Sequence, residues 1–168
     1  MELLVIRHGI AMERDEFAPT GQSDDLRPLT DEGREKMKRN AAGLAALVPK
    51  IDLLATSPLL RARQTAEIVA GAYGETVADV TDVLVPDAAF DDFVAWLAER
   101  QRKGVVAVVG HEPHLSGLVT WLLTGFDDSR IALKKGGACL LQFDAKPRRA
   151  GATLQWLATP KQLARLGA

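Results

Sequence analysis

Apolar positions along the chain fall into blocks whose spacing separates strands from helices. The run Leu3-Leu4-Val5-Ile6 is too short for a helix and carries no polar alternation, so it reads as a strand buried on both faces. Leu53-Leu54-Ala55-Thr56 reads the same way, and Val105-Val106-Ala107-Val108-Val109, the most continuous run, belongs in mid-sheet. Elsewhere the period changes. Met37, Ala41, Leu44 and Val48 recur at helical spacing behind Thr30, the expected N-cap, with Asp31 and Glu32 in the first turn and Pro49 ending the helix. Phe90, Phe93, Val94 and Leu97 mark a second amphipathic helix, and residues 113–123 a third. Another helix is expected to be capped by Ser57 and opened by Pro58, with Arg61 in its first turn and Arg63 rotated about 200° away. Residues 138–143 and 152–157 read as an antiparallel hairpin joined by a basic, glycine-containing turn. Residues 10–29 keep no period and read as a long surface loop starting beside His8. This alternation predicts a three-layer α/β/α sandwich with a mostly parallel central sheet, in one domain spanning residues 1–168.

Composition narrows the partners. Lys and Arg number 21 and Asp and Glu 22, a net charge of −1, so no global field favours nucleic acid or an anionic membrane. No apolar run approaches a membrane span, and no basic leader precedes the first strand. The single cysteine, Cys139, has no intramolecular partner for a disulfide, so a reducing cytoplasm is the expected location.

The candidate chemistry sits just behind the three buried strands. Arg7-His8-Gly9 follows the first. Ser57-Pro58-Leu59-Leu60-Arg61-Ala62-Arg63-Gln64-Thr65-Ala66 follows the second, and Gly110-His111-Glu112-Pro113-His114 the third. Ligands of open α/β sheets bind outside the carboxyl ends of the strands, so Arg7, His8, Arg61 and His111 are expected to converge. An imidazole can act as nucleophile, a guanidinium can grip an oxyanion with two N–H groups, and Gly9 would let a ligand approach the backbone. Phosphate is the natural guest. Zinc on His8, His111 and His114 is disfavoured by two arginines in the same pocket, and His114 fits a structural or rim role better. Cys139 has no arginine six residues later, as a cysteine phosphatase loop needs, and no ATP-binding P-loop motif is present. Lys134-Lys135-Gly136-Gly137 could hold an anion but is explained by a turn before a strand, and Trp96, Trp121 and Trp156 read as packing.

These motifs, from residue 7 to about residue 117, resemble those of the histidine phosphatase superfamily, which is phosphoglycerate mutase-like in fold. Its signature is an R-H-G after the first strand, joined by S-P-L-x-R-A-x-Q-T-A and a late G-H-E. The length and the stretch Ser23-Asp24-Asp25-Leu26-Arg27-Pro28-Leu29-Thr30 are most similar to the small bacterial phosphohistidine phosphatases. The resemblance implies a cofactor-free, metal-independent phosphatase that forms a phosphohistidine on His8. Arg7, Arg61 and a protonated His111 would stabilise the transferring group, with Arg27, Gly9 and Ser57 as further substrate contacts. Members that act on esters draw an acid from a later loop, for which Asp87, Asp82 and Glu112 are the candidates. The implied substrate is a phosphohistidine-bearing protein. The alternatives are a small phosphorylated metabolite or phosphoserine, and, in another class, a non-catalytic module that binds phosphate or a phosphoprotein.

Overall fold

The computed structural model describes residues 1–74 and 77–168. Strand β1 (Glu2–Arg7) is followed by a one-turn helix α1 (Arg14–Phe17), two 3-10 turns (Ala18–Thr20 and Asp24–Leu26) and helix α2 (Asp31–Leu47). Next come β2 (Leu53–Thr56), α3 (Leu60–Ala72), β3 (Ala78–Val80), a 3-10 turn at Asp82–Leu84, α4 (Phe90–Ala98), β4 (Val105–Gly110) and α5 (His114–Thr124). The chain closes with β5 (Ala138–Gln142), β6 (Thr153–Ala158) and α6 (Pro160–Leu166). The strands form one sheet in the order β3-β2-β4-β1-β5-β6. Pairing is parallel from β3 through β1, and β5 is antiparallel to both of its neighbours, β1 and β6.

Alternation within β1 divides the core. Leu4 and Ile6 pack with Met37, Leu44, Val69 and Leu163, which belong to α2, α3 and α6. Leu3 and Val5 face Phe93, Leu97, Leu115 and Leu122, on α4 and α5. The sheet is therefore covered on both faces, which explains why β1 and β4 are apolar at successive positions. Cys139 is fully buried in the second layer, and desolvation pushes its thiol up to about 12.

Several local expectations need correction. Ser57 does not cap α3, which starts at Leu60 behind an extended Leu59; the Ser57 hydroxyl accepts instead from the Leu59 N–H at 3.3 Å. Arg61 still lies in the first turn. The loop 10–29 carries α1 and two 3-10 turns and is tied down by a bridge between Ala11 and Leu29. Strand β3 and helix α6 were not expected. The latter opens on a capping box in which Thr159 and Gln162 satisfy each other's backbone N–H groups.

Candidate active site

Arg7 and His8 leave the carboxyl end of β1, Ser57 that of β2, and His111 that of β4. Backbone hydrogen bonds fix these ends in register: His8 N donates to Gly110 O at 3.1 Å, and Ser57 N to Val109 O at 3.0 Å. Gly136, at φ 75°, donates its N–H to the carbonyls of both Arg7 and His8 at 3.1 and 3.0 Å. A left-handed residue is required there, which glycine supplies without a Cβ penalty. Helix α3 is tied to the same segment, because Gly9 N donates to Thr65 Oγ1 at 3.0 Å and that hydroxyl donates to Arg61 O at 2.7 Å. Gln64 accepts from Leu29 N at 2.8 Å and holds the loop 10–29 against α3. The Gln and Thr of the second motif thus serve as braces.

A cleft of about 440 Å³ brings together Arg7, His8, Arg27, Arg61, His111 and Glu112. The His8 and His111 rings stand 5.1 Å apart between centroids. His8 Nδ1 lies 2.7 Å from the Gly9 carbonyl, which can only accept, so Nδ1 carries the ring proton and Nε2 is unprotonated. Burial, then Arg61, Arg7 and Arg27, push the His8 pKa down to about 3 against the opposing Gly9 bond.

His111 Nε2 is 2.8 Å from Ser57 Oγ. The same serine oxygen accepts from Leu59 N–H at 3.3 Å, so Ser57 ties the His111 ring to the segment that leads into α3. Burial and then the neighbouring His8 and Arg61 push His111 down to about 3 as well. Burial thus favours the neutral ring while no phosphoryl group is bound. His111 Nδ1, Arg7 Nε and Arg61 Nε are buried without a hydrogen-bond partner among the described residues. All three belong to residues that line this cleft.

The arginines are held from behind. Arg7 Nη1 donates to Leu133 O at 2.9 Å, and Arg61 Nη1 to Asp24 O at 3.0 Å. The Asp24 carboxylate accepts from Arg27 Nε at 2.8 Å and lies 3.3 Å from Arg61 Nη1, so it braces both. No period or motif in the sequence marked Asp24 for this role. Arg14 and Glu13 also line the cleft and carry no sequence signal either; Lys135, from the turn weighed as an anion holder, lines it too.

Other expected site residues are placed differently. Gly9 does not line the His8 cleft; a Cβ there would lie against Leu29, Gly33 and Met37 at 3.5 to 3.6 Å, on the side of α2. Ser57 is fully buried and its hydroxyl is spent on His111 and Leu59, which makes it a support for His111. Among the carboxylates, Glu112 lines the His8 cleft with Oε1 accepting from Ser116 N at 2.9 Å. Asp82 and Asp87 line an adjoining cleft that shares Arg14, Arg61 and Pro86 with the first. His114 lies apart from this group, its Nε2 at 3.1 Å from Ala88 O and its ring against Phe90. Arg63 lines a separate pocket with Glu67. Among the described residues, no three His, Cys, Asp or Glu side chains are grouped to hold a metal. Among them, too, no helix is long and apolar enough to cross a membrane.

Comparison with known proteins identifies the family. The profile of the histidine phosphatase superfamily (branch 1) matches residues 3–84. Phosphohistidine phosphatase SixA of Escherichia coli is 32% identical over 128 residues, covering 74% of this chain and 76% of that protein. An uncharacterized protein of Picosynechococcus is 38% identical over 139 residues, 82% of each chain. Among solved structures, the protein histidine phosphatase SixA complexed with tungstate superposes with a TM-score of 0.83 at 26% identity, covering 97% of this chain and 99% of that one. The chain belongs to the histidine phosphatase superfamily, and it is a phosphatase.

Proposed function

We propose that this phosphatase removes phosphoryl groups from phosphohistidine in proteins, by two displacements through His8 and without a metal ion. The observation that carries the reading is the state of His8. Its one ring proton is spent on the Gly9 carbonyl, and burial among three guanidinium groups keeps Nε2 bare near neutral pH. In the first displacement the Nε2 lone pair attacks phosphorus while the bond from phosphorus to the leaving nitrogen breaks, and the departing imidazole takes a proton from solvent water. In the second, water attacks phosphorus, the bond to Nε2 breaks, and His8 returns to its starting state with release of phosphate. Arg7, Arg27 and Arg61 neutralise the equatorial oxygens. The arriving phosphoryl dianion raises the His111 pKa, so the neutral ring takes up a proton and donates to phosphate. Cations crowd the same cleft, which leaves little room for a divalent metal.

A phosphohistidine substrate fits because imidazole leaves readily and its ring protonates near neutral pH, so little acid machinery is required. The similarity to a phosphohistidine phosphatase over three quarters of both chains supports the same choice. One observation favours a second reading, a phosphomonoesterase for a small metabolite or phosphoserine: Glu112 stands on the wall of the His8 cleft, where an acid for an alkoxide would be needed. We place the protein in the cytoplasm, acting as one domain on a phosphoprotein and not on nucleic acid. The test is phosphate release from a phosphohistidine protein and from para-nitrophenyl phosphate side by side, with chelator present and His8→Ala as control. Rapid, His8-dependent, chelator-insensitive loss from the P–N substrate supports the proposal; preference for the ester transfers it to the second reading.

A further inference from the structure

Beside the reaction cleft lies a second pocket of about 330 Å³ that the mechanism does not use. Its inner surface is apolar, from Ile10, Met37, Pro160 and Ala164, and its outer surface is cationic, from Lys36, Arg39, Lys135 and Lys161. Among the described residues, no carboxylate lines it. Lys36 is paired with Glu32 at 2.5 Å and Lys135 reaches Glu13 at 3.6 Å, whereas no ion pair among the described residues engages Arg39 or Lys161. In a chain of net charge −1 this is a local concentration of positive charge.

Two features join the pocket to the nucleophile. Gly9, the residue after His8, forms part of its wall, and Lys135 lines both this pocket and the His8 cleft. Lys135 is held there by the neighbouring Gly136, whose N–H is shared by the carbonyls of Arg7 and His8. The Lys134-Lys135-Gly136-Gly137 turn therefore does more than precede a strand. It carries a cation across the ridge between the two cavities.

We infer that this pocket receives an acidic segment of the phosphoprotein substrate, an apolar side chain seated against Pro160 and Ala164 with flanking carboxylates facing Arg39, Lys161 and Lys135. The inference rests on the protein-substrate reading above. A small phosphate ester is too short to fill both cavities, so the contact distinguishes protein from metabolite substrates. Charges at the rim of an interface act mainly on encounter and are screened by salt over a Debye length of about 10 Å at 0.1 M.

The experiment compares the wild type with Arg39→Glu/Lys161→Glu, both exposed positions on α2 and α6, and with Arg102→Glu/Lys103→Glu, an equal charge change at exposed positions next to the amino end of β4. The probes are a phosphotransfer domain phosphorylated on histidine with acidic residues around it, the same domain with those carboxylates changed to amides, and para-nitrophenyl phosphate. At low ionic strength Arg39→Glu/Lys161→Glu should lower kcat/KM on the acidic phosphodomain at least tenfold, an effect expected from reversed steering charges. The loss should shrink in high salt and on the amidated domain, while ester hydrolysis and the control variant stay within about twofold of wild type, as expected for a rim effect. Equal loss in the control variant, or loss of ester hydrolysis in Arg39→Glu/Lys161→Glu, overturns the docking assignment. So does unchanged turnover of the phosphodomain. If the wild type cleaves the ester but not the phosphodomain, the protein-substrate reading itself fails, and the docking site with it.

Discussion

Acid should unfold this protein through its buried histidines. His8, His111 and His114 are all buried, and burial lowers the pKa of each, to about 3 for His8 and His111. An unfolded chain takes up those protons near pH 6.5. Between the two values the unfolded state binds more protons than the folded one, so stability is fully present above pH 6.5 and is lost as pH falls toward 3. Each such group contributes a slope of ~1.4 kcal/mol per pH unit, so going from pH 6.5 to 5 costs roughly 2 kcal/mol for His8 and roughly 4 for the pair with His111. Asp24 and Asp52, whose partners lower their pKa values, lose their contribution only as pH falls below 3.8, outside the range from 7.5 to 5. Urea denaturation at pH 7.5, 6 and 5, on the wild type, His8→Asn and His111→Asn, isolates the effect. Each variant should lose about 2 kcal/mol less than the wild type across the range. Curves that run parallel from pH 7.5 to 5 would refute the reasoning, since they would mean that neither ring is held neutral by the fold.

Three further outcomes are expected. Ser57→Ala removes the partner of His111 Nε2 in a ring whose Nδ1 already lacks one; chemical denaturation should show ~1–3 kcal/mol less stability, and steady-state kinetics a lower kcat with KM less affected. Gly33→Ala places a Cβ 2.1 Å from the Ile10 carbonyl oxygen, so α2 must move off the segment two residues past His8; thermal melting should show a loss of about 1–3 kcal/mol, and Gly9→Ala, with no neighbour nearer than 3.5 Å, a smaller one. Glu112→Gln should lower ester hydrolysis by roughly 100-fold or more if Glu112 is the acid for alkoxide leaving groups, while phosphohistidine cleavage changes less than about threefold; equal losses on both substrates would assign Glu112 a structural role.

The parts of the fold legible in the sequence are those with long, one-signed patterns. Val105–Val109 could only be a strand buried on both faces, and it is an interior strand of the sheet. The convergence of Arg7, His8, Arg61 and His111 followed from strand ends alone, because a parallel sheet collects its carboxyl ends on one edge. What escaped was short or relational. Strand β3 has three residues and two of them are exposed, too few for a period to emerge. The Thr159-Pro160-Lys161-Gln162 capping signal of α6 was present in the sequence and was overlooked, since the helix behind it has only seven residues. Ser57 reads as a cap because Ser-Pro is a common helix opening; a hydroxyl engaged by His111 and Leu59 is visible only in the fold. Asp24 is the instructive case. One exposed aspartate in an irregular loop gives no periodic signal, yet its carboxylate meets the guanidinium groups of Arg27 and Arg61.

The central claim is that His8 carries the phosphoryl group between substrate and water. Rapid mixing of the protein with a radiolabelled phosphohistidine domain, quenched in alkali within the first turnover and mapped by peptide, tests it most directly. The account predicts an alkali-stable, acid-labile label on the peptide containing His8, absent in His8→Ala. Label on a different residue, or full turnover in His8→Ala, would contradict it.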